Sequence, residues 1–314
     1  MSSFHSNGKF LLTGEYLVLR GALSLALPLK FGQSLEVKPL DGDENLLKWT
    51  AFRPDGVWFS TDLNRETLQV ISADDRVKAE KLSSILLAVK QLNPDAFSKG
   101  GLEFVTRLGF NPEWGLGSSS TLIATLSRWA NVNPYELLRM TFGGSGYDIA
   151  CATAEQPILY QLTDGNPQVE SVKFSPLFSD RIFFVYHGQK QSSSKEIGNF
   201  KERMRQMSFE KEIDEVSEIT KSLVSNASFD DFCRLLHEHE NIISHCIGRE
   251  PLQQHFPDFE GAIKSLGAWG GDFFMAVTEW DTEKVKRYFA EKGLSVVFGY
   301  DEMVLPESNF KNLK

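Results

Sequence analysis

The first forty residues are dominated by leucine-rich apolar runs. Residues 9–19 and 23–37 read as two antiparallel strands separated by Arg20-Gly21-Ala22. Residues 46–52 and 57–61 flank Pro54-Asp55-Gly56, which supplies the fixed φ and the permissive glycine of a tight turn, so a hairpin is expected there. From 77 to 92 the apolar positions Leu82, Ile85, Leu86 and Val89 recur at helical spacing, and Asn93-Pro94 closes the segment. A short strand over 102–108 leads through a Gly/Ser loop to a helix over 121–130. Helices over 135–141 and 147–154 and a strand over 157–162 follow.

Residues 181–186 form a nearly continuous apolar run, the pattern of a strand buried on both faces. The composition then changes. Residues 195–226 and 229–247 are long, charged and amphipathic, and 260–265, 272–278, 282–292 and 294–305 read as helix, strand, helix and strand. Turn residues cluster at Asp164-Gly165-Asn166-Pro167 and Ser175-Pro176, which places a domain boundary near 165–180 and gives domains of 1–170 and 171–314.

A chain of 314 residues favours two domains or one large one with insertions. Its 41% hydrophobic and 24% charged residues are those of a globular protein. The formal net charge of -9 argues against a partner such as nucleic acid or an anionic membrane, since both call for a positive field; a small anionic substrate needs only a local cluster of cations. Cys151, Cys233 and Cys246 are too few for a disulfide framework and lack metal spacing. With no signal-like N-terminus and no long apolar run, the expected location is the cytoplasm.

The loop Gly115-Leu116-Gly117-Ser118-Ser119-Ser120 lies between a strand and a helix. A helix start offers free N–H groups and the positive end of a dipole, glycines admit close approach of phosphate oxygens, and a serine hydroxyl can ligate Mg²⁺. No lysine follows the last glycine, so this is not a Walker A loop. A flexible Gly/Ser connection capping a helix is the competing explanation.

Three segments together resemble the motifs of GHMP kinases: Gly8-Lys9-Phe10-Leu11-Leu12-Thr13-Gly14-Glu15-Tyr16, the loop from Pro112 to Ser120, and Lys264-Ser265-Leu266-Gly267-Ala268-Trp269-Gly270-Gly271-Asp272. Gly144-Ser145-Gly146-Tyr147-Asp148 and the Gly-Glu-Tyr of the first motif are most similar to bacterial phosphomevalonate kinases. The resemblance implies an α+β fold with a ribosomal protein S5 domain 2-like N-terminal domain and a ferredoxin-like C-terminal domain. It implies transfer of the γ-phosphoryl group of ATP, with Mg²⁺, to phosphomevalonate. Mevalonate as acceptor, or binding without turnover, stay open.

On the same resemblance Asp148 is the catalytic base and Lys9 the cation that holds it in register with the acceptor. ATP is contacted by Gly115, Leu116, Gly117, Ser118, Ser119, Ser120, Gly270 and Gly271, with Ser119 also a Mg²⁺ ligand. Glu15, Tyr16, Ser145, Lys190, Ser193, Ser194 and Lys195 fall to the acceptor. Glu136 reads as a solvated helix residue. Trp269 stands where the family loop has glycine, so its indole has to point away from the phosphates or narrow their pocket. His237, His239 and His245 read as surface residues of a charged helix, the first two on different sides of it. The sequence leaves a homodimer open.

Overall fold

The computed structural model describes residues 2–98, 100–188, 198, 200, 202–203, 207–225, 227–267, 269 and 272–306. The chain divides into two compact units that interleave along the sequence. One comprises Met1–Gly8, Phe31–Pro112 and Leu116–Thr153, the other Lys9–Lys30, Glu113–Gly115 and Ala154–Lys314.

In the first unit β3 (Leu46–Arg53) and β4 (Gly56–Asn64) form the hairpin that Pro54-Asp55-Gly56 requires. A short edge strand, β5 (Val70–Ala73), joins β4, and β6 (Gly101–Leu108) runs parallel to β3 and antiparallel to residues 33–40 of β2 (Ser24–Leu40). Inward positions of these strands alternate at period two: Leu35 and Val37, then Leu47, Trp49 and Ala51, with Phe104 beside them. They meet the apolar stripes of α1 (Arg76–Leu92), α2 (Ser118–Ala130) and α3 (Pro134–Thr141), and Ile149 of α4 (Tyr147–Thr153). Trp49 stacks on Phe104 at 5.1 Å between centroids, and Trp129 meets the same ring edge-on at 4.8 Å.

The second unit contains an antiparallel sheet in the order β10 (Ala262–Ser265), β11 (Phe273–Val277), β9 (Ile182–Tyr186), β12 (Val297–Gly299). Phe183, Val185, Phe274 and Ala276 pack with Phe256, Val285 and Phe289, the last two from α7 (Thr282–Glu291). α5 (Glu210–Val224) and α6 (Phe229–Ile247) pack together, and α6 lies on β10. The first half of β2 pairs with β7 (Ile158–Thr163), which pairs with β8 (Asn166–Ser171); β1 (Ser2–Leu11) pairs with β2. A four-residue helix, α8 (Tyr300–Met303), follows β12. Among the described residues no helix is long and apolar enough to cross a membrane.

Three local expectations are corrected, and one turn cluster is located. The strand expected over 9–19 ends at Leu11, because Gly14 and Tyr16 both take positive φ and turn the chain into a 3-10 helix at Leu17–Arg20. The turn residues at 164–167 link β7 to β8 as a hairpin, with Asp164 and Gly165 both at positive φ. Residues 260–265 contain a strand, β10, whose four residues are all buried; so short an apolar run carries no decisive period. Within 294–305 only Val297–Gly299 is strand, and α8 follows it. Of the helix expected over 195–226 the described part is α5; most of 195–206 lies outside the described residues.

Candidate active site

In the first unit the helix begins three residues earlier than its apolar pattern suggested, so Ser118, Ser119 and Ser120 form the first turn of α2. Gly117 caps it at φ 96°, ψ 40°, where a side chain would be strained, and offers no side-chain acceptor to the first amides. Those amides carry the positive end of the helix dipole. Ser119 is exposed and Ser118 half-buried, whereas Ser120 is buried with its hydroxyl donating to Gly117 O at 2.9 Å. Leu116 is fully buried, so it can meet a ligand only through its backbone.

Two contacts fix this turn. Thr121 Oγ1 bonds to Gln33 Oε1 at 2.7 Å, tying it to β2, and Gly8 lies so close that a Cβ there would come within 2.8 Å of Phe31 O and 3.1 Å of Leu116 O. An exposed hydroxyl such as that of Ser119 is a hard oxygen donor suited to Mg²⁺, which takes much of its shell from phosphates and water. Glu136 is exposed on α3. Among the described residues no group of three or more His, Cys, Asp or Glu side chains could hold a metal ion.

Asp148 is the second residue of α4, half-buried, with Oδ1 accepting the Ile149 N–H at 3.0 Å. Burial, and then the charge of Asp148, push the Tyr135 phenol above its usual value, so α3 brings a hydroxyl-bearing ring near the carboxylate. Ser145 lies half-buried in the preceding loop, where Gly143, Gly144 and Gly146 all take positive φ.

In the second unit Lys9 Nζ donates to Gly115 O at 2.9 Å. The Asp272 carboxylate fills the space where a Gly115 side chain would begin, 1.9 Å from the ideal Cβ position, so Gly115 is required by packing as well as by its φ of 65°. Asp272 O accepts the His187 N–H at 2.8 Å.

Glu15 is 1% exposed, and its Oε1 is bonded to Lys264 Nζ. Its Oε2 lies 3.4 Å from His239 Nε2, which accepts the Gly14 N–H at 2.9 Å. An accepting Nε2 leaves the ring proton on Nδ1. Lys264 also donates to Ser265 O at 2.8 Å, and Glu240 accepts from Ser265 N, Ser265 Oγ and Leu252 N at 3.1, 2.8 and 3.2 Å. Burial raises Glu15 to about 7 against the pull of Lys264; burial, then Lys264, hold His239 well below the usual histidine value. Tyr16 is buried against Leu17, Phe200 and Trp269, its ring 5.2 Å from that of Phe200. The Trp269 indole is thus part of an apolar cluster, 2% exposed.

His239, read from sequence as a surface residue, is fully buried, while His237 meets Gln253 at 3.3 Å. The signal was present: Phe232, Leu236, Glu240 and Ile243 follow the helical period, so positions 239 and 240 fall on the buried stripe of α6. Lys190, Ser193, Ser194, Lys195, Gly270 and Gly271 lie outside the described residues.

No protein-family model matches the sequence, and neither does any curated protein. Solved structures do. Phosphomevalonate kinase of Streptococcus pneumoniae, in complex with phosphomevalonate and AMPPNP, is similar at a TM-score of 0.69 and 17% identity, over 95% of this chain and 100% of that one. Mevalonate kinase of L. major in complex with R-mevalonate aligns at 0.66 and 17%, over 98% and 96%. Galactokinase of Lactococcus lactis with galactose aligns at 0.66 and 12%, over 95% and 92%. The chain has the α+β fold of the GHMP kinases.

Proposed function

We propose that this protein is an ATP-dependent small-molecule kinase that phosphorylates phosphomevalonate, using Mg²⁺, in cytoplasmic isoprenoid synthesis. The observation that carries the proposal is the start of α2: a strand-loop-helix whose glycine cap leaves the first amides for an anion and whose first turn holds a half-buried Ser118 and an exposed Ser119. The likeness to a phosphomevalonate kinase over 95% of the chain favours the acceptor. The family division into domains of 1–170 and 171–314 is part of the same proposal.

In this scheme residues 115–120, with Gly270 and Gly271, would hold the phosphates of ATP, and Ser119 would ligate Mg²⁺, whose charge would offset that of the phosphates. An oxygen of the acceptor phosphate attacks the γ-phosphorus as the bond to ADP breaks. Asp148 takes the proton that the attacking group carries, and Lys9 keeps the carboxylate and the acceptor in register. Ser145, Lys190, Ser193, Ser194 and Lys195 bind the acceptor by charge-assisted hydrogen bonds. Glu15 and Tyr16, both buried, would serve the acceptor through the backbone of the turn they hold.

A mevalonate kinase is the second reading, favoured by an alignment of comparable quality to a mevalonate-bound structure. The Trp269 ring, buried with Tyr16 and Phe200, offers little support for binding without turnover. The test is ADP release from MgATP with mevalonate, 5-phosphomevalonate, galactose and homoserine offered separately. Turnover with 5-phosphomevalonate alone is expected; turnover with mevalonate alone selects the second reading, and silence on all four removes both.

A further inference from the structure

The turn at residues 14–17 is tightly constrained. A Cβ on Gly14 would sit 2.0 Å from Ser24 Oγ, and Gly14 itself is at φ 85°. Glu15 O accepts the Leu17 N–H at 2.7 Å across Tyr16, which has φ 63° and ψ -48°. That is a γ-turn of the positive-φ kind, rare and strained for a residue with a bulky side chain. Strained backbone persists only where its surroundings over-determine it, and such sites concentrate where geometry matters to function.

What over-determines this turn is a buried polar cluster built around one ion pair. Lys264 holds Glu15, His239 takes the Gly14 N–H, Glu240 holds the backbone and hydroxyl of Ser265 beside Lys264, and Thr13 shares a 2.8 Å hydrogen bond with Thr220. Two carboxylates and one ammonium group, each no more than 1% exposed, are a poor way to gain stability, because apolar residues of similar volume serve at least as well. Their use here is better explained by the geometry they impose.

That geometry reaches Lys9. β1 ends at Leu11, and the N–H groups of Leu12 and Thr13 both point to Leu25 O, at 2.7 and 3.4 Å. The backbone from Lys9 to Leu17 is therefore fixed at successive points, and Lys9 Nζ reaches Gly115 O from one end of it. We propose that Lys264 is a positioning residue for phosphoryl transfer: through Glu15 it holds the γ-turn at Tyr16, and with it the end of the strand that presents Lys9 to Gly115. The inference rests on the kinase reading above.

The test compares the wild-type chain with Lys264→Met, Lys264→Arg and the double variant Glu15→Gln/Lys264→Met, using MgATP and whichever acceptor the wild type phosphorylates. Lys264→Met strands two buried carboxylates and is the variant most prone to unfold; the double variant removes the ion pair without leaving Glu15 charged. In the folded variants kcat is expected to fall by about 10–100-fold and acceptor KM to rise, with the Kd for ATP, measured by calorimetry, within about threefold of wild type. A purely structural role would lower the melting temperature and the active fraction and leave KM in place. Values of kcat and acceptor KM within about twofold of wild type, in the double variant or, if that one does not fold, in Lys264→Arg, overturn the proposal. A wild-type chain that phosphorylates none of the four acceptors overturns the kinase reading and takes this inference with it.

Discussion

The start of α2 and the turn at Gly14 both depend on glycines at positive φ, yet they treat their polar groups in opposite ways. At α2 the cap is a residue without a side chain, Ser119 is exposed and Ser118 half-buried, and Ser120 spends its hydroxyl on Gly117 O. At Gly14 the amide, the neighbouring carboxylate and the lysine that meets it are all consumed inside the protein. One region leaves polar groups at the surface; the other encloses them. Glycine thus serves two ends: at Gly117 it caps a helix at positive φ, and at Gly14 it admits the close approach of Ser24.

Substitutions can break this contrast at several points. Asp148→Asn is expected to act most strongly, lowering kcat by about 10²–10⁴-fold with little change in ATP affinity, since it removes the proton acceptor and keeps the shape. Steady-state kinetics against the identified acceptor decide it, and an unchanged kcat would deny Asp148 the role of base. In the closed region Lys264→Met is expected to cost about 3–5 kcal/mol in urea unfolding, because Glu15 and Glu240 are left buried without their cation. Most of that loss should return when Glu15→Gln is added; an equal loss in the double variant would mean that packing of the lysine stem, not charge, is responsible.

Gly117→Ala places a side chain at φ 96° and is expected to cost about 1–2 kcal/mol, raising KM for ATP more than KM for the acceptor. A variant with normal stability and normal KM would show that the cap tolerates a Cβ and that the amides are not used. The smallest effect is a pH dependence. Glu15 titrates at about 7 because burial outweighs Lys264, so the folded protein holds this proton more tightly than the unfolded chain. Its contribution to stability is complete below about 4.5 and is lost as pH rises through 7. His239 has the opposite sign, its contribution being lost as pH falls below about 6.5. Wild type is therefore expected to lose stability relative to Glu15→Gln between about pH 4.5 and 7, and a flat difference over that range would mean that Glu15 stays ionised.

Much of the first unit was legible in the sequence. The period of Leu82, Ile85, Leu86 and Val89 marked α1 to within a residue of its start, and Pro54-Asp55-Gly56 marked the β3–β4 hairpin, because both signals are local. α6 was equally clear in extent, but its two buried polar positions were masked by the charge around them. The Gly14 turn and β10 were not legible at all. The conformation of the turn is set by partners more than two hundred residues away in the chain, Lys264 for Glu15 and His239 for Gly14, which no window of sequence contains together; β10 is four buried residues paired with nearby Phe273–Val277, too short a run to show a period.

The interleaving of the two units governs the order in which the chain can fold on the ribosome. The first unit has all its residues once Thr153 has been made, but Lys9–Lys30 belongs to the second, whose remaining residues come after Glu113 and mostly after Ala154. Phe10, Leu12, Leu17, Leu25, Leu27 and Leu29, each no more than 4% exposed in the finished protein, emerge among the first residues and wait for partners such as Phe184 and Phe273, which Phe10 meets at 4.8 and 5.5 Å. At bacterial to eukaryotic rates of synthesis that wait lasts about 10–50 s. For this protein the early strand is the segment most open to aggregation during production, and slower initiation or added chaperone is the remedy that its architecture indicates.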